Sequence, residues 1–398
     1  MQFTNFPYWP KRIVQGAGMS KEIVNEFNIF GGNRCIFFTD NTLLNESLTQ
    51  ELVAIIKNAG YTIDIYNDIE QNPSDNSVAM AAKHMSHFKP DFIVYYGGGS
   101  VIDLGKAANV VYTHGGAVHD YEDLNGGVDK ITDKLLPSVA IATTAGSGSE
   151  VSSVSVITDT ARTLKIAILS PYVVPTISVL DPVVTVSMPP DLTAYTGMDA
   201  MVHVIESYVS GVPFEPCRGI ALRGIELISR SLRKAVYHGD DLNARTDMLV
   251  GSACGSMAFN NNFLGAVHGC AHQLSSVAGL PHGLANAIML LPIMEWNIPS
   301  NVDAYADIAK ALGVNVHGIT PREAAEKSVV LMGQLAIDIG IPRRLSDVGV
   351  SKEMIEELVD KAYMDHNMLS NPRKSKECPD RISKEVIKSL YMEVFNEI

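Results

Sequence analysis

The chain has 398 residues, a formal net charge of −13 at pH 7 and a hydrophobic fraction of 46%, enough to bury a large core without help from disulfides or a structural metal. Its acidity and lack of any polybasic run argue against a nucleic-acid or anionic-membrane surface, and no apolar run reaches the roughly 18 residues of a membrane span. Five scattered cysteines, none in a CxxC pair, fit a reducing compartment. The opening segment MQFTNFPYWPKRIVQGAGM lacks the layout of a signal peptide, so a cytoplasmic location is expected.

In chain order, RCIFFTDN (34–41) predicts a strand ending at Asp40, and ESLTQELVAIIKNAG (46–60) a helix stopped by glycine. YTIDIYN (61–67) alternates as a strand does, and NSVAMAAKHMSHFKP (76–90) is helical up to its proline. DFIVYYGGGS (91–100), VIDLGKAANVVYTHGG (101–116) and LPSVAIATTAGSGSE (136–150) then read as strand, helix and strand. Strands separated by helices of this length imply a parallel sheet covered by helices. Beyond about residue 185 the segments are successive helices, and three prolines in DPVVTVSMPPDLT mark the change. The expectation is an α/β dinucleotide-binding domain over residues 1–185 and an all-helical metal-binding domain over 186–398.

Gly97, Gly98, Gly99 and Ser100 stand between a strand and a helix, where a close backbone approach and free N–H groups favour a phosphate. The run is not a GxGxxG fingerprint and follows the third predicted strand, so an ordinary Rossmann unit is disfavoured. TTAGSGSE adds hydroxyls at a second strand end, consistent with a ligand along the carboxyl edge of an open sheet. Asp40 is placed either to accept hydrogen bonds from an adenosine ribose, favouring NAD over NADP, or simply to cap the next helix.

GMDAMVHVIESY puts Asp199 and His203 four residues apart, on one face of a helix that also carries Val202 and Glu206. His268 and His272 repeat that spacing in AVHGCAHQLSSVAGLPHG, and His282 follows, all among apolar and small residues. Buried imidazoles without partners are costly. A divalent ion would give several of them one partner, and three imidazoles with a carboxylate match a catalytic site with an open position.

Taken together, FTDN, GGGSVIDLGKA, TTAGSGSEVSSVSVITD, GMDAMVHVIESYVS, VHGCAHQLSSVAGLPHGLANAIMLLP and NPRKS resemble the iron-containing (group III) alcohol dehydrogenases over nearly the whole chain. The resemblance implies a dehydroquinate-synthase-like α/β lobe and an all-α lobe, with the active site in the cleft between them. It implies Asp199, His203, His268 and His282 as metal ligands, with Fe²⁺ the usual ion and Zn²⁺ or Mn²⁺ also suited to such donors. His272 would serve proton relay. NAD(H) would be held by Asp40, Gly97, Gly98, Gly99, Ser100, Asp103, Thr143, Thr144, Ser147, Ser152 and Lys165. Val154, Phe259 and Asn367 would line the substrate pocket, and Asn367 with His366 beside it raises the case of a polar or anionic aldehyde.

The implied reaction is hydride transfer between a small primary alcohol or its aldehyde and NAD(H), in a homo-oligomer of two or more copies with no nucleic-acid or membrane partner. A dehydroquinate-synthase-type lyase is disfavoured because the ligand-bearing helices are poor in Lys and Arg. A metal-dependent hydrolase would have no use for the glycine loops, and a scaffold role leaves both loops and histidines unexplained.

Overall fold

The apolar runs at Arg34–Phe38 (β2), Thr62–Tyr66 (β3), Phe92–Gly97 (β4) and Ser138–Ala142 (β5) form neighbouring parallel strands in the computed structural model, which describes residues 8–396. Residues 1–7 and 397–398, the outer ends of the two expected domains, lie outside the described residues. Arg12–Gln15 (β1) and Ile177–Leu180 (β8) extend the same sheet, whose order is β1-β8-β5-β4-β2-β3 and whose pairings are all parallel. Every residue of β4 and β5 is buried, as expected for strands covered on both faces. On one face Phe37, Val94, Tyr96, Val139 and Ile141 pack with Leu52, Val53 and Ile56.

The covering helices of this first unit are Asn41–Leu44 (α1), Ser47–Asn58 (α2), Asp75–Phe88 (α3) and Gly99–His114 (α4). A separate antiparallel hairpin, Val154–Asp159 (β6) and Leu164–Leu169 (β7), follows β5. The first unit ends at Met188 and a second begins at Pro189. In the second unit the helices are Pro190–Val209 (α5), Glu215–Tyr237 (α6), Leu242–Asn262 (α7), Ala266–Ala278 (α8), His282–Asn297 (α9), Val302–Ala311 (α10), Pro321–Asp338 (α11), Ile355–Met364 (α12) and Lys384–Asn396 (α13).

The α5 helix is buried along most of its length, charged residues included. A helix that is enclosed all round must find partners for such groups.

Candidate active site

Asp199, His203 and Glu206 lie on one face of α5 and are each only 5% exposed. His268 and His272 come from α8, and His282 opens α9. The structure brings the four expected ligands together. Asp199 Oδ1 stands 4.0 Å from His203 Nε2, 3.8 Å from His268 Nε2 and 3.6 Å from His282 Nε2. The donor atoms of Asp199, His268 and His282 all lie within 4.8 Å of one another. The His203 and His268 rings stack at 4.7 Å. Donors sharing one ion at bond lengths of about 2.0–2.2 Å stand at comparable separations.

Close packing makes this convergence possible. A Cβ on Gly283 would fall 2.1 Å from the Tyr195 carbonyl oxygen, so only glycine lets the start of α9 approach α5 beside Asp199.

Asn286, one turn after His282 and fully buried, marks the point of convergence. Its Nδ2 donates to Asp199 Oδ1 at 2.6 Å and lies 3.1 Å from His268 Nε2 and 3.2 Å from His282 Nε2. A carboxylate oxygen and two imidazole nitrogens thus crowd around one amide nitrogen that carries only two hydrogens, an arrangement that equally suits a cation. The set lacks thiolates and fits a divalent first-row ion.

Glu206 fixes the orientation of His268. Its Oε2 accepts from His268 Nδ1 at 2.6 Å, which leaves the Nε2 lone pair available to a cation. Oε1 accepts the Val267 N–H at 2.7 Å, so the same carboxylate satisfies the open N-terminus of α8. Burial pushes the Glu206 carboxyl up to about 7 against these donors. Burial and the neighbouring His203 push His268 well below the usual imidazole range, which keeps the ring neutral and able to ligate.

His272 stands one turn along α8, its ring stacked on that of His282 at 5.4 Å. Its Nδ1 lies 2.9 Å from Asp365 Oδ2. Burial pushes Asp365 up, but His272 and the Asn367 donors outweigh that and hold it below the usual carboxylate range. Asn367 is half-buried and gives its side-chain amide to Asp365 Oδ1 at 3.0 Å. Phe259, half-buried on α7, places its ring 5.0 Å from that of His203.

In the first unit, Asp40, Gly97–Ser100 and Thr143–Ser147 follow the adjacent strands β2, β4 and β5. Two of these loops touch. A Cβ on Gly99 would sit 2.8 Å from Ser147 Oγ, and one on Gly98 would sit 3.2 Å from the Thr144 side chain. The loops therefore form a tight, hydroxyl-lined cradle at the N-terminus of a 16-residue helix, where the N–H groups ahead of the first intrahelical bond favour a phosphate. Thr143 is buried, and its N–H bonds the Gly97 carbonyl at 3.0 Å.

Asp40 caps α1, accepting from Thr42 N at 2.8 Å and Leu43 N at 2.9 Å. Its second oxygen leaves it able to serve a ribose as well.

Asp103 is half-buried and Ser152 is buried. Asp103 is bonded by the Ser149 hydroxyl and by Val156 N. Ser152 Oγ accepts Val154 N at 2.9 Å, and the Ser152 carbonyl accepts buried Lys106 Nζ at 2.8 Å. Lys106 also holds the carbonyls of Ser149 and Val154. Lys165, on β7 opposite Thr158, helps to offset the burial of Asp103. Val154 begins β6 in this unit.

Sequence reasoning did not assign a role to Glu206, Asn286, Lys106 or Asp365. Glu206 and Asn286 carried a signal, standing one or two turns from ligands on the same helices. Asp365, 93 residues from its histidine, carried none.

The profile of the iron-containing alcohol dehydrogenase family matches residues 10–182, and that of the C-terminal part of the Fe-containing alcohol dehydrogenase family matches residues 193–391. The chain is 37% identical to the 1,3-propanediol dehydrogenase of Klebsiella pneumoniae over 88% of its length and 90% of that protein's. It is 35% identical to the NAD-dependent methanol dehydrogenase of Bacillus methanolicus, over 93% and 96% respectively. A solved 1,3-propanediol oxidoreductase superposes with a TM-score of 0.93 at 34% identity, covering 99% of this chain and 100% of that one. With both parts of the chain matched and the ligand geometry in place, the protein belongs to the iron-containing alcohol dehydrogenase family.

Proposed function

We propose that this alcohol dehydrogenase interconverts a small primary alcohol and its aldehyde with NAD(H), using an ion held by Asp199, His203, His268 and His282. The observation that carries the reading is the convergence of Asp199, His268 and His282 on one point, with His203 Nε2 4.0 Å from Asp199 Oδ1. A divalent ion there supplies Lewis acidity, polarising a carbonyl or stabilising an alkoxide. Fe²⁺ is the expected ion.

The chain's own groups do the rest. Glu206 orients His268, and buried Asn286 helps to hold Asp199 in place. Phe259 gives the substrate an apolar wall, and His272 takes or returns the proton of the substrate oxygen. The cradle of Gly98, Gly99, Ser100, Thr144 and Ser147 grips the pyrophosphate, with Asp40 at the ribose. Asp103, Ser152 and Lys165 complete the proposed cofactor site.

Among the described residues no helix is long and apolar enough to cross a membrane. We take the enzyme to be cytoplasmic and without nucleic-acid or membrane partners, a reading that its acidic charge of −13 favours. We take the working form to be a homo-oligomer. Steady-state rates of the Fe²⁺-loaded protein with NADH against short neutral and anionic aldehydes test the reading. Turnover is expected with at least one aldehyde class, and a loaded protein that reduces none of them is not the enzyme proposed.

A further inference from the structure

We propose that Asp365 is a positioning residue that fixes the His272 ring with Nδ1–H on its carboxylate and thereby reserves Nε2 for the proton leaving the substrate alcohol. The proposal rests on the relay role given to His272 above.

Asp365 follows the last turn of α12, and only 13% of its side chain is exposed. Four contacts fix the carboxylate. Oδ1 accepts the backbone N–H of Asn367 at 2.9 Å and its side-chain amide at 3.0 Å, while Oδ2 faces His272 Nδ1 at 2.9 Å and accepts from Gln273 Nε2 at 3.2 Å. Gln273 is itself tied to the Gly269 carbonyl at 3.2 Å. An ionised carboxylate only accepts, so Nδ1 must be the donor, and a neutral ring then carries its lone pair on Nε2. The stacking of the ring on His282 holds it beside the ligand cluster.

In alcohol oxidation the carbon's hydride passes with its electron pair to NAD⁺, the O–H proton goes to His272 Nε2, and the imidazolium so formed is stabilised by Asp365. Aldehyde reduction returns both. A carboxamide at this position can instead donate to Nδ1 and select the opposite tautomer, which has no free lone pair on Nε2.

The test uses full-length protein. In the zinc-loaded enzyme, which is diamagnetic, ¹⁵N NMR should show His272 as the Nδ1–H tautomer; an Nε2–H tautomer overturns the proposal without any variant. Asp365→Asn should shift that tautomer and lower kcat for 1-propanol with NAD⁺ by roughly 100-fold, while metal content and the Kd for NADH stay put. Asp365→Glu should recover part of the loss. Added to His272→Ala, Asp365→Asn should cost nothing further. If His272→Ala is impaired but metal-loaded Asp365→Asn is not, the positioning role fails while the relay stands. If His272→Ala is fully active, the relay reading fails and takes this proposal with it.

Discussion

Under the proposed function, Asp40 divides one carboxylate between two roles. One oxygen is committed to the α1 backbone at Thr42 and Leu43, and the other is left for the adenosine ribose under the proposed function. A negative charge there repels the 2′-phosphate of NADP. Asp40→Gly removes the repulsion at little structural cost, because glycine in place of a capping carboxylate costs only about a few tenths of a kcal/mol. The variant should therefore keep its thermal stability and gain at least roughly 10-fold in kcat/KM with NADPH relative to NADH, since one unfavourable charge contact is worth about 1.4 kcal/mol or more. Steady-state kinetics with both cofactors decides it. Unchanged discrimination would leave Asp40 a helix cap and nothing more.

At the scale of elements, α5 and α8 are joined through Glu206, which binds the first turn of α8 and one imidazole of the cluster together. Glu206→Gln preserves size but removes the charge that steadies the His268 Nδ1–H. Metal affinity should fall roughly 10- to 100-fold, the usual effect of losing such a partner. Competition against a chromogenic chelator measures it, and an unaltered affinity would show that Glu206 serves only the helix terminus. Much of this was readable from periodicity: the α5 face carrying Asp199 and His203 also carries Glu206, and the four apolar runs of the first half gave the centre of the sheet. What escaped had physical reasons. The β1 strand has a mostly exposed edge and is four residues long, too short to show a period. The β6–β7 hairpin alternates buried and half-buried residues around a loop without an Asn-Gly type of turn. Asp365 reaches His272 only through tertiary packing, and no local pattern encodes a contact between residues so distant in sequence.

For the whole molecule, the proposed metal ligands all belong to the unit beginning at Pro189, while the glycine and hydroxyl loops all belong to the unit ending at Met188. Removing the ion should therefore separate two properties. The four ligands come from α5, α8 and α9, so an ion binding them stabilises only the folded helices; at about 1,000 times its Kd that linkage is worth about 4.1 kcal/mol. With roughly 2–4 °C per kcal/mol for a unit of this size, chelation should lower the unfolding temperature of the second unit by about 10 °C. The cradle at Gly98, Gly99, Thr144 and Ser147 is built from residues of the first unit, so NADH should still bind, and quenching of intrinsic fluorescence on titration should give a Kd within roughly twofold of the loaded protein's, a difference below about 1.4 kcal/mol. Turnover should vanish and return with Fe²⁺ under reducing conditions. Loss of NADH binding on chelation would show that the ion organises the cofactor site as well, and turnover by the chelated protein would remove the ion from the chemistry altogether.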